Sequence, residues 1–255
     1  MPSSNNTQEK ALSLKIEKLS LTRNEKLLFR DFSHVFDASL IHAILGPSGC
    51  GKTSLLHAIA GLLPIDGGKI SKITALSYLF QEPRLLPWLS LEKNLSLVIE
   101  KLYTDKNLAK EKVASMLEKV HLIDYAKRFP SEISGGERQR LALARAFLFP
   151  SPLLLMDEAF QSQDIVLKLQ LMDLLQSLHE EDRRTIILVS HDIREALSLA
   201  DTIMVLKGSP IKKELLHSAA QEKSQKQRAS KIYVNFPQDL QERENDILRV
   251  FSHID

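Results

Sequence analysis

The fold is decided by the stretch Gly46-Pro47-Ser48-Gly49-Cys50-Gly51-Lys52-Thr53. An apolar run from Leu40 to Leu45 precedes it and predicts a strand, and the segment from Ser54 to Ala60 after it predicts a helix. In that context the glycines let backbone N–H groups turn inward around phosphates, Lys52 reaches the terminal phosphates, and the Thr53 hydroxyl completes a Mg²⁺ shell. The flanking strand and helix disfavour the alternative, an ordinary glycine turn with an exposed lysine. We therefore predict a phosphate loop over residues 46–53 that binds a nucleotide together with Ser54.

Length, composition and charge limit the classes of protein to which this chain can belong. The 255 residues are enough for one large α/β domain with a small appendage, and a hydrophobic fraction of 44% supports a packed core. A formal charge of +2 gives no electrostatic argument for nucleic acid as a partner. The single cysteine, Cys50, fits a reducing compartment. Residues 1–10 have no signal-peptide core, and no apolar run reaches the ~18–20 residues of a membrane helix. We expect a cytoplasmic chain that acts at a membrane only through a separate spanning chain.

The rest of the chain alternates between strand and helix patterns. Segments with strand character are 12–21, 27–36 and 73–80, with turns expected at 24–26 and 64–68. Residues 89–128 carry apolar side chains at helical spacing, which predicts a mostly helical insert. Short apolar runs at 153–156 and 185–189 suit buried parallel strands. This order predicts the α/β class with a parallel core sheet.

The composition changes after residue 207. Residues 207–231 carry seven Lys or Arg against two Glu, with Ser and Gln between them. A solvated linker is favoured over a surface for anionic lipids, because mixed charge runs are usually surface. Residues 247–251 predict a short amphipathic helix that docks on the body.

Two adjacent carboxylates narrow the range of reactions that the phosphate loop could serve. The apolar strand at 153–156 runs directly into Asp157 and Glu158, about 105 residues after Lys52. Asp157 suits Mg²⁺, usually through water, and Glu158 is placed to orient or deprotonate the water that attacks a terminal phosphate. Combined with the phosphate loop, the pair predicts nucleotide hydrolysis.

A second helix start also suits a phosphate. Ser134 is a natural N-cap, Gly135 and Gly136 follow without side chains, and Glu137 opens a run of helix-forming residues. Two phosphate-binding helix ends in one chain are explained most simply if the second binds the nucleotide of another subunit. A plain serine-capped helix is the alternative, which would be preferred if this motif stood alone.

These motifs together resemble the ATP-binding subunit of ABC transporters. The phosphate loop, the segment at 133–137, the Asp157-Glu158 strand and Ser190-His191-Asp192 occur in the family's order and spacing. The resemblance implies that Gln81 senses Mg²⁺ and contacts the membrane subunit, that Asp164 pairs the two ATPase subunits, and that His191 contacts the γ-phosphate. Outside this resemblance, a histidine after an apolar strand would more often be structural.

The resemblance also implies an architecture. It covers about residues 12–207 and implies a P-loop NTPase with a parallel core sheet, an N-terminal antiparallel β subdomain and a helical subdomain at about 89–149. A polar tail (1–11) precedes this domain, and the basic linker with its short C-terminal segment (208–255) follows it.

The segment 79–88 points to one importer group. Its sequence, Leu79-Phe80-Gln81-Glu82-Pro83-Arg84-Leu85-Leu86-Pro87-Trp88, is similar to that of the nitrate, sulfonate and taurine importers, which include relatives for bicarbonate and thiamine-precursor pyrimidines. Trp88 is the only tryptophan and suits a socket for a permease helix, with a core position as the alternative.

Three departures from the family pattern stand out. Arg23 stands near the position where an aromatic residue usually stacks on adenine, and Phe29 is the nearest aromatic residue. A guanidinium can also stack on a base. Ala159 replaces the usual proline and Gln163 the usual leucine, so communication between two ATP sites is in question. Glu137 stands where glutamine is commonest.

The sequence therefore predicts the ATPase subunit of an ABC importer for a small solute such as nitrate, a sulfonate, taurine or a thiamine-precursor pyrimidine. Two copies, as a homodimer, would enclose two Mg²⁺–ATP, attached to permease subunits at the cytoplasmic face of the membrane beside an extracytoplasmic solute-binding protein. Catalysis is assigned to Lys52, Gln81, Glu158 and His191, and Mg²⁺ to Thr53, Gln81 and Asp157. Alternatives are a P-loop kinase, a nucleotide-gated interaction protein with weak turnover and the ATPase arm of an exporter.

Overall fold

The computed structural model describes residues 12–161, 164–207 and 211–216, with 212–216 described by their backbone alone. The predicted polar tail, Gln163 and the segment 217–255 with its predicted terminal helix lie outside the described residues. The chain divides into two compact units. The sheet unit contains residues 12–73, 155–158 and the described residues after 184, and the helical unit contains residues 74–154 and 159–184.

The described elements alternate between strand and helix. The strands are β1 (Leu14–Arg23), β2 (Lys26–Phe36), β3 (Ile41–Leu45), β4 (Gly67–Ile70), β5 (Leu76–Leu79), β6 (Leu153–Asp157), β7 (Thr185–Val189), β8 (Thr202–Lys207) and β9 (Lys212–Leu216). The α-helices are α1 (Lys52–Ile59), α2 (Leu91–Ile99), α3 (Lys106–Lys119), α4 (Gly135–Leu148), α5 (Ile165–Glu181) and α6 (Ile193–Leu199). The predicted α/β class is confirmed.

The sheet unit begins with an antiparallel sheet in the order β2-β1-β4. Apolar side chains of β1 and β2 alternate into its core, and Leu14, Phe29 and Phe36 are fully buried. The β1–β2 hairpin closes with Arg23 opposite Lys26. The predicted strands at 12–21 and 27–36 are therefore present. The antiparallel β subdomain that the family resemblance implies is confirmed.

Strand β4 begins inside the segment that the sequence marks as a turn. Gly68 has φ of 88°, and a side-chain carbon at this position would come within 2.3 Å of the Lys18 carbonyl oxygen. Only glycine permits so close an approach of two backbones. In the sequence this glycine suggests a turn. In the structure it allows β4 to pair with β1.

The sheet unit also contains the core sheet, in which β6, β7, β3 and β8 follow one another and β9 lies next to β8. Strand β3 pairs in parallel with β7 and with β8, with Ile44 opposite Val189 on one side and Met204 on the other. All five residues of β3 and of β7 are buried, as expected for parallel strands. Full burial of a side chain such as Ile44 contributes about 1.5–3 kcal/mol. The parallel core sheet is confirmed.

Two strands of this sheet were not predicted. Strand β8 precedes the composition change, and β9 lies beyond residue 207, in the segment that the sequence analysis assigns to a basic linker. Strand β9 pairs antiparallel with β8, from Lys207 opposite Lys212 to Ile203 opposite Leu216. The core sheet thus continues past residue 207.

The helical unit contains α2, α3, α4 and α5, three of which meet around a common apolar core. The buried residues of that core include Leu91, Leu95, Ile99, Val113, Leu117, Val120 and Leu141. Side chains of Ser90, Asp105, Ser134 and Asp164 accept hydrogen bonds at the four helix starts. The helical periodicity of 89–128 and the Ser134 N-cap are confirmed.

Candidate nucleotide-binding site

The phosphate loop connects the buried strand β3 to helix α1. Gly49 and Gly51 have φ of 74° and 107°, so both need the left-handed backbone that glycine tolerates. Gly51 is the N-cap of α1 and offers no side-chain cap. The N–H groups of the first helical turn therefore lack an intrahelical partner and form an opening for an anion.

The charged side chain of Lys52 lies inside this loop. Its side chain is buried, and Nζ donates to the carbonyl oxygens of Gly46 at 2.8 Å and Pro47 at 3.1 Å. These dipoles solvate a cation that has left water. A phosphate group at the loop would meet a positive charge already held in place.

Thr53 and Asp157 bring two oxygen donors together. The Thr53 hydroxyl donates to Asp157 Oδ1 at 2.9 Å, which joins the first turn of α1 to the end of β6. Hydroxyl and carboxylate oxygens are the donors that Mg²⁺ prefers. Among the described residues no cluster of three or more His, Cys, Asp and Glu could hold a metal by itself. The pair suits a Mg²⁺ ion that takes its other ligands from water and substrate phosphates.

Glu158 leaves the end of β6 in an unusual backbone conformation. Its φ is 49°, which costs a non-glycine residue about 1–2 kcal/mol. Its N–H donates to the Val189 carbonyl at 3.0 Å, which holds the turn against the end of β7. Strain at such a position is typical of a functional site. Here it accompanies a carboxylate that lines the cavity described next.

A cavity of about 560 Å³ opens beside the phosphate loop. Its lining residues are Arg23, Asn24, Lys26, Leu28, Ser48, Gly49, Gly51, Lys52, Thr53, Ser54 and Glu158. The volume lies in the range of small-molecule sites. Three cationic side chains against one carboxylate favour a polyanion.

Arg23 lies at this cavity, whereas Phe29 does not. The Arg23 Nη1 donates to the Ser54 hydroxyl at 3.0 Å. Phe29 is fully buried and packs edge-on against Phe32 with ring centroids 5.2 Å apart. Phe29 therefore cannot stack on a bound base without leaving the core.

Cys50 is half-buried, and its thiol lies beside Gly46 of the phosphate loop. A side-chain carbon on Gly46 would come within 2.8 Å of Cys50 Sγ and of the Leu206 carbonyl oxygen, so the thiol lies beside these residues. Burial raises the pKa of the Cys50 thiol, and the nearby Lys52 ammonium opposes this only in part. Cys50 belongs to the phosphate loop by its backbone, and its side chain is not among the lining groups of the cavity.

His191 lies on the turn between β7 and α6. Ser190 before it is buried and donates its N–H to Ile44 at 3.2 Å, while Asp192 after it caps α6 by accepting from the Arg194 N–H at 2.9 Å. The His191 side chain is exposed. This turn presents an exposed imidazole at the carboxyl end of a parallel strand, where α/β sheets bind ligands.

The second predicted phosphate site belongs to the helical unit. Ser134 and Glu137 form a reciprocal capping box: Ser134 Oγ accepts from the Glu137 N–H at 3.2 Å, and Glu137 Oε2 accepts from the Ser134 N–H at 2.7 Å. These bonds lower the pKa of Glu137. Gly136 is buried, and a side-chain carbon there would lie 2.5 Å from Leu167. The helix end is thus shaped by glycine and already carries a carboxylate.

The segment after β5 presents an exposed surface. The Gln81 amide donates to Gln161 Oε1 at 2.6 Å. Arg145 donates to the carbonyl oxygens of Pro83 and Arg84 at 2.9 and 3.0 Å, which holds the chain that follows. Trp88 is 70% exposed. The core alternative for Trp88 is therefore wrong.

The segment after Glu158 is anchored on the helical unit's own side chains. Ala159 and Phe160 are buried, and the Gln139 amide donates to the Ala159 carbonyl oxygen. Asp164 is exposed and caps α5, with Oδ1 accepting from the Leu167 N–H at 2.9 Å. An alanine in place of proline thus leaves this turn held by a buried hydrogen bond.

Several site residues were missed in the sequence. Lys26 and Leu28 line the cavity from β2, and Gln139 fixes the turn at Ala159. Lys26 and Leu28 lie outside the motifs of the sequence. Gln139 follows the Ser134 helix start closely, but its contact with Ala159 depends on a residue 20 positions away.

Comparison with known proteins identifies the family. The family described as ABC transporter matches residues 29–161. The aliphatic sulfonates import ATP-binding protein SsuB 1 of Paracoccus denitrificans is 40% identical over 198 residues, which cover 77% of this chain and 80% of that protein. SsuB 2 of Frankia alni is 39% identical over 173 residues, covering 68% of each chain.

Solved structures support the fold. A dimeric ATP-binding cassette bound to ADP and Pi has a TM-score of 0.68 and 24% identity, covering 80% of this chain and 99% of that one. The protein cbiO1 of Clostridium perfringens, part of an ABC transporter complex, has a TM-score of 0.70 and 22% identity, covering 77% of this chain and 85% of that one.

The predicted resemblance to the sulfonate, nitrate and taurine group is confirmed, and both curated relatives are named as import proteins. A family match over half of the chain, together with relatives that span two thirds of it or more, shows that this chain belongs to the ABC transporter family as one of its ATP-binding subunits, which are ATPases.

Proposed function

We propose that this chain is the ATP-hydrolysing subunit of an ABC importer for small sulfonate-type anions, and that it works in pairs around two Mg²⁺–ATP. One observation carries the ATPase part: Lys52, Thr53 and Glu158 line one cavity, and Asp157 is bonded to Thr53. The sulfonate class is supported by the names of the curated relatives. Nitrate, taurine and thiamine-precursor pyrimidines are the other solutes of this importer group.

The loop binds the phosphates of ATP. Backbone N–H groups at the start of α1, the Lys52 ammonium and the Ser54 hydroxyl supply donors on one side of the cavity. Mg²⁺ fits the Thr53 and Asp157 oxygens and, when bound, would neutralise charge on the phosphate oxygens. Gln81 is the third proposed ligand, as the family resemblance implies.

Glu158 orients the attacking water. Its carboxylate lines the cavity from the residue next to Asp157, so it is placed to accept a proton from water while the phosphate loop holds the terminal phosphate. His191 is proposed to contact the γ-phosphate from its exposed turn after β7. Lys52 stabilises the charge on the transferred group.

A second copy completes each site. Ser134, Gly135, Gly136 and Glu137 are proposed to meet the γ-phosphate bound by the partner, and Asp164 to pair the two subunits. The capped and exposed start of α4 supports this role, because Ser134 keeps a hydroxyl hydrogen to donate. Closure around ATP would pull on the permease, and hydrolysis would release it.

Attachment to the membrane is proposed to be peripheral, on the cytoplasmic face. No helix in the described part of the chain is long and apolar enough to span a bilayer. The exposed Trp88 segment is the proposed contact with permease subunits, and an extracytoplasmic binding protein would deliver the solute. Nucleic acid is not among the proposed partners.

Transport in cells tests this proposal. A strain that lacks this chain should lose uptake of a radiolabelled alkanesulfonate, and the wild-type chain should restore it. Glu158→Gln should assemble with the permease but restore less than about one hundredth of the uptake rate, because the carboxylate that activates water is gone. Glu118→Gln, on the exposed side of α3, is the matched control and should restore full uptake. Normal uptake with Glu158→Gln would contradict the mechanism, and normal uptake in the deletion strain would contradict the sulfonate class.

A further inference from the structure

Two glutamine side chains of the helical unit join the loop after β5 to the turn after β6. The Gln81 amide nitrogen, Nε2, donates to Gln161 Oε1 at 2.6 Å. Gln81 is exposed and Gln161 is half-buried. A hydrogen bond between two surface amides contributes little when both side chains must first be ordered, so its effect depends on how firmly the two backbones are held.

The backbone around Gln81 is held on both sides. The Arg84 guanidinium lies over the Phe80 ring, 3.6 Å from its centroid, so the residue before Gln81 is stacked. Arg145 of α4 donates to the carbonyl oxygens of Pro83 and Arg84 at 2.9 and 3.0 Å. The Gln81 side chain therefore starts from a segment that is anchored before and after it.

The turn that carries Gln161 is also anchored on α4. Phe160, directly before Gln161, is 1% exposed. The amide of Gln139, a buried residue of α4, donates to the Ala159 carbonyl oxygen. Side chains of one helix thus hold both segments. The hydrogen bond between Gln81 and Gln161 consequently joins two positions that are fixed in advance.

The direction of this hydrogen bond sets the orientation of the Gln81 amide. A glutamine amide has an NH₂ group that donates and an oxygen that accepts. Because Gln81 turns its NH₂ group toward Gln161, its Oε1 lies at the opposite end of the amide. Mg²⁺ takes oxygen ligands, including amide oxygens. The contact with Gln161 therefore holds the Gln81 amide in the orientation that a Mg²⁺ ligand requires.

Chain connectivity keeps this pair of amides near the metal-binding carboxylate. Gln161 is four residues after Asp157, and four residues span at most about 14 Å even when fully extended. Asp157 and the Thr53 hydroxyl bonded to it are the oxygen donors that suit Mg²⁺. Gln161 is thus close enough along the chain to influence a ligand of the same ion.

We propose that Gln161 is a positioning residue for the ATPase reaction, which orients the Gln81 amide so that Oε1 is presented to Mg²⁺. The inference rests on the proposed function, in which Gln81 is the third protein ligand of the ion. An exposed glutamine side chain loses rotamer freedom when it binds an ion, and Gln161 removes part of that cost beforehand.

The gain in ATP affinity that Mg²⁺ brings is the quantity that tests this inference. Calorimetric titrations of the full-length Glu158→Gln chain, which we expect to bind ATP without hydrolysing it, would compare ATP with Mg²⁺ and ATP with EDTA. Adding Gln161→Leu should reduce the gain by about three- to tenfold. The affinity in EDTA should stay within about twofold, because the phosphate loop is unchanged. Gln170→Leu, the same change at an exposed glutamine of α5, is the matched control and should alter neither quantity.

Further variants of the same pair separate orientation from packing. Gln161→Glu keeps an oxygen that can only accept, so it should retain at least the gain of the parent chain. Gln81→Leu should reduce the gain, and combining it with Gln161→Leu should change the gain by less than about twofold more, because Gln161 acts through Gln81. Thermal melting verifies that each variant is folded, and Gln161→Ser, too short to reach Gln81, replaces Gln161→Leu if that chain is unfolded.

The outcomes distinguish this inference from the function on which it rests. The inference alone is overturned by an unchanged gain in Gln161→Leu, by a Gln161→Glu chain that behaves as Gln161→Leu does, or by a further loss when Gln161→Leu is combined with Gln81→Leu. An unchanged gain in a folded Gln81→Leu chain would instead show that Gln81 is not a Mg²⁺ ligand. That result would overturn this part of the proposed function, and the inference with it.

Discussion

The starts of helices α1 and α4 resemble each other in sequence but differ in chemistry. Each is preceded or opened by glycine and suits an anion. The N-cap of α1 is Gly51, which offers no side chain, and Lys52 brings a cation to the opening. The N-cap of α4 is Ser134, whose hydroxyl is used inside the helix start, and Glu137 places a carboxylate on the Ser134 N–H.

This difference indicates a division of labour. The start of α1 is an open helix end, and the chain's own Lys52 gives it a positive charge. The start of α4 is already occupied by an internal anion, so by itself it attracts phosphate weakly. A γ-phosphate that is held firmly by the loop of another copy would bring the binding energy that this second site lacks.

The largest predicted effect separates the two helix starts by function. Lys52→Met should weaken ATP binding by the isolated chain by about a hundredfold or more, because it removes the buried cation of the phosphate loop. Ser134→Arg should leave that binding within about twofold and abolish ATP-dependent pairing, since the bulky side chain blocks the second site. Both are measured by calorimetry and by sedimentation in a Glu158→Gln background, which we expect to bind ATP without hydrolysing it.

ADP is the control for the pairing measurement, because it lacks the γ-phosphate that would bridge two copies. If Ser134→Arg still pairs with ATP and the intact transporter with this change turns over normally, the two helix starts do not differ in function as proposed. The two-copy mechanism would then be contradicted. Weak pairing of the Glu158→Gln chain alone would call for the same measurement with the permease present.

The second prediction compares Gly51, at the start of α1, with Gly135, at the start of α4. Gly51→Ala should destabilise the fold by about 1–3 kcal/mol, since alanine would have to adopt φ of 107° and its side chain would lie 3.3 Å from three core side chains. Gly135→Ala meets only the Arg138 side chain, at 3.8 Å, and should stay within about 0.5 kcal/mol of wild type. Urea unfolding of both variants tests the difference, and equal losses would mean that the two helix starts are equally constrained.

The third prediction concerns the carboxylate at α4. Glu137→Gln keeps the capping box but removes a negative charge, so ATP-dependent pairing should strengthen by about two- to fivefold. The cost in stability at neutral pH should stay below about 1 kcal/mol, because the group is exposed to solvent screening. Sedimentation gives the first quantity, and weaker pairing in the variant would show that the charge assists the second site.

The pH dependence of this variant follows from the lowered pKa of Glu137, caused by its hydrogen bonds to Ser134. A carboxyl whose pKa is depressed on folding contributes stability above its unfolded pKa of about 4.3, and that contribution is lost as pH falls through the folded value. The melting-temperature difference between wild type and Glu137→Gln should therefore shrink below about pH 4. A difference that grows on acidification would contradict the assigned hydrogen bonds.

The smallest effect is expected at Cys50, within the open site itself. Cys50→Ser should change ATP affinity by less than about twofold, because the loop uses the backbone at this position. Alkylation of the wild-type thiol should be slow at neutral pH, since burial raises its pKa, and should accelerate as pH rises. Complete modification would add bulk beside Gly46 and should block ATP, and bound Mg²⁺–ATP should protect. Mass spectrometry follows the modification, and normal ATP binding by a fully modified chain would contradict this reading.

The regular elements around the site could be predicted because their signals are local. The run at 40–45, the helix after the phosphate loop and the strands at 153–156 and 185–189 each combine an apolar pattern with nearby loop residues. Strand β4 and strand β9 were not predictable in this way. Strand β4 depends on Gly68, which lets its backbone approach that of β1. Strand β9 lies in a polar, charged segment and depends on pairing with β8.

Motif spacing led to the family of this protein through a phosphate loop, an acidic pair and a capped second helix start. The resemblance that these motifs carry then supplied the roles predicted for Gln81, Asp164 and His191. Tertiary structure decided which side chains share the cavity. It placed Arg23 and Lys26 in the lining, buried Phe29, put the Cys50 thiol beside Gly46 and exposed Trp88. The reason is physical: backbone preferences and motifs act over a few neighbouring residues, whereas burial and side-chain contact depend on packing between segments that are far apart in the chain.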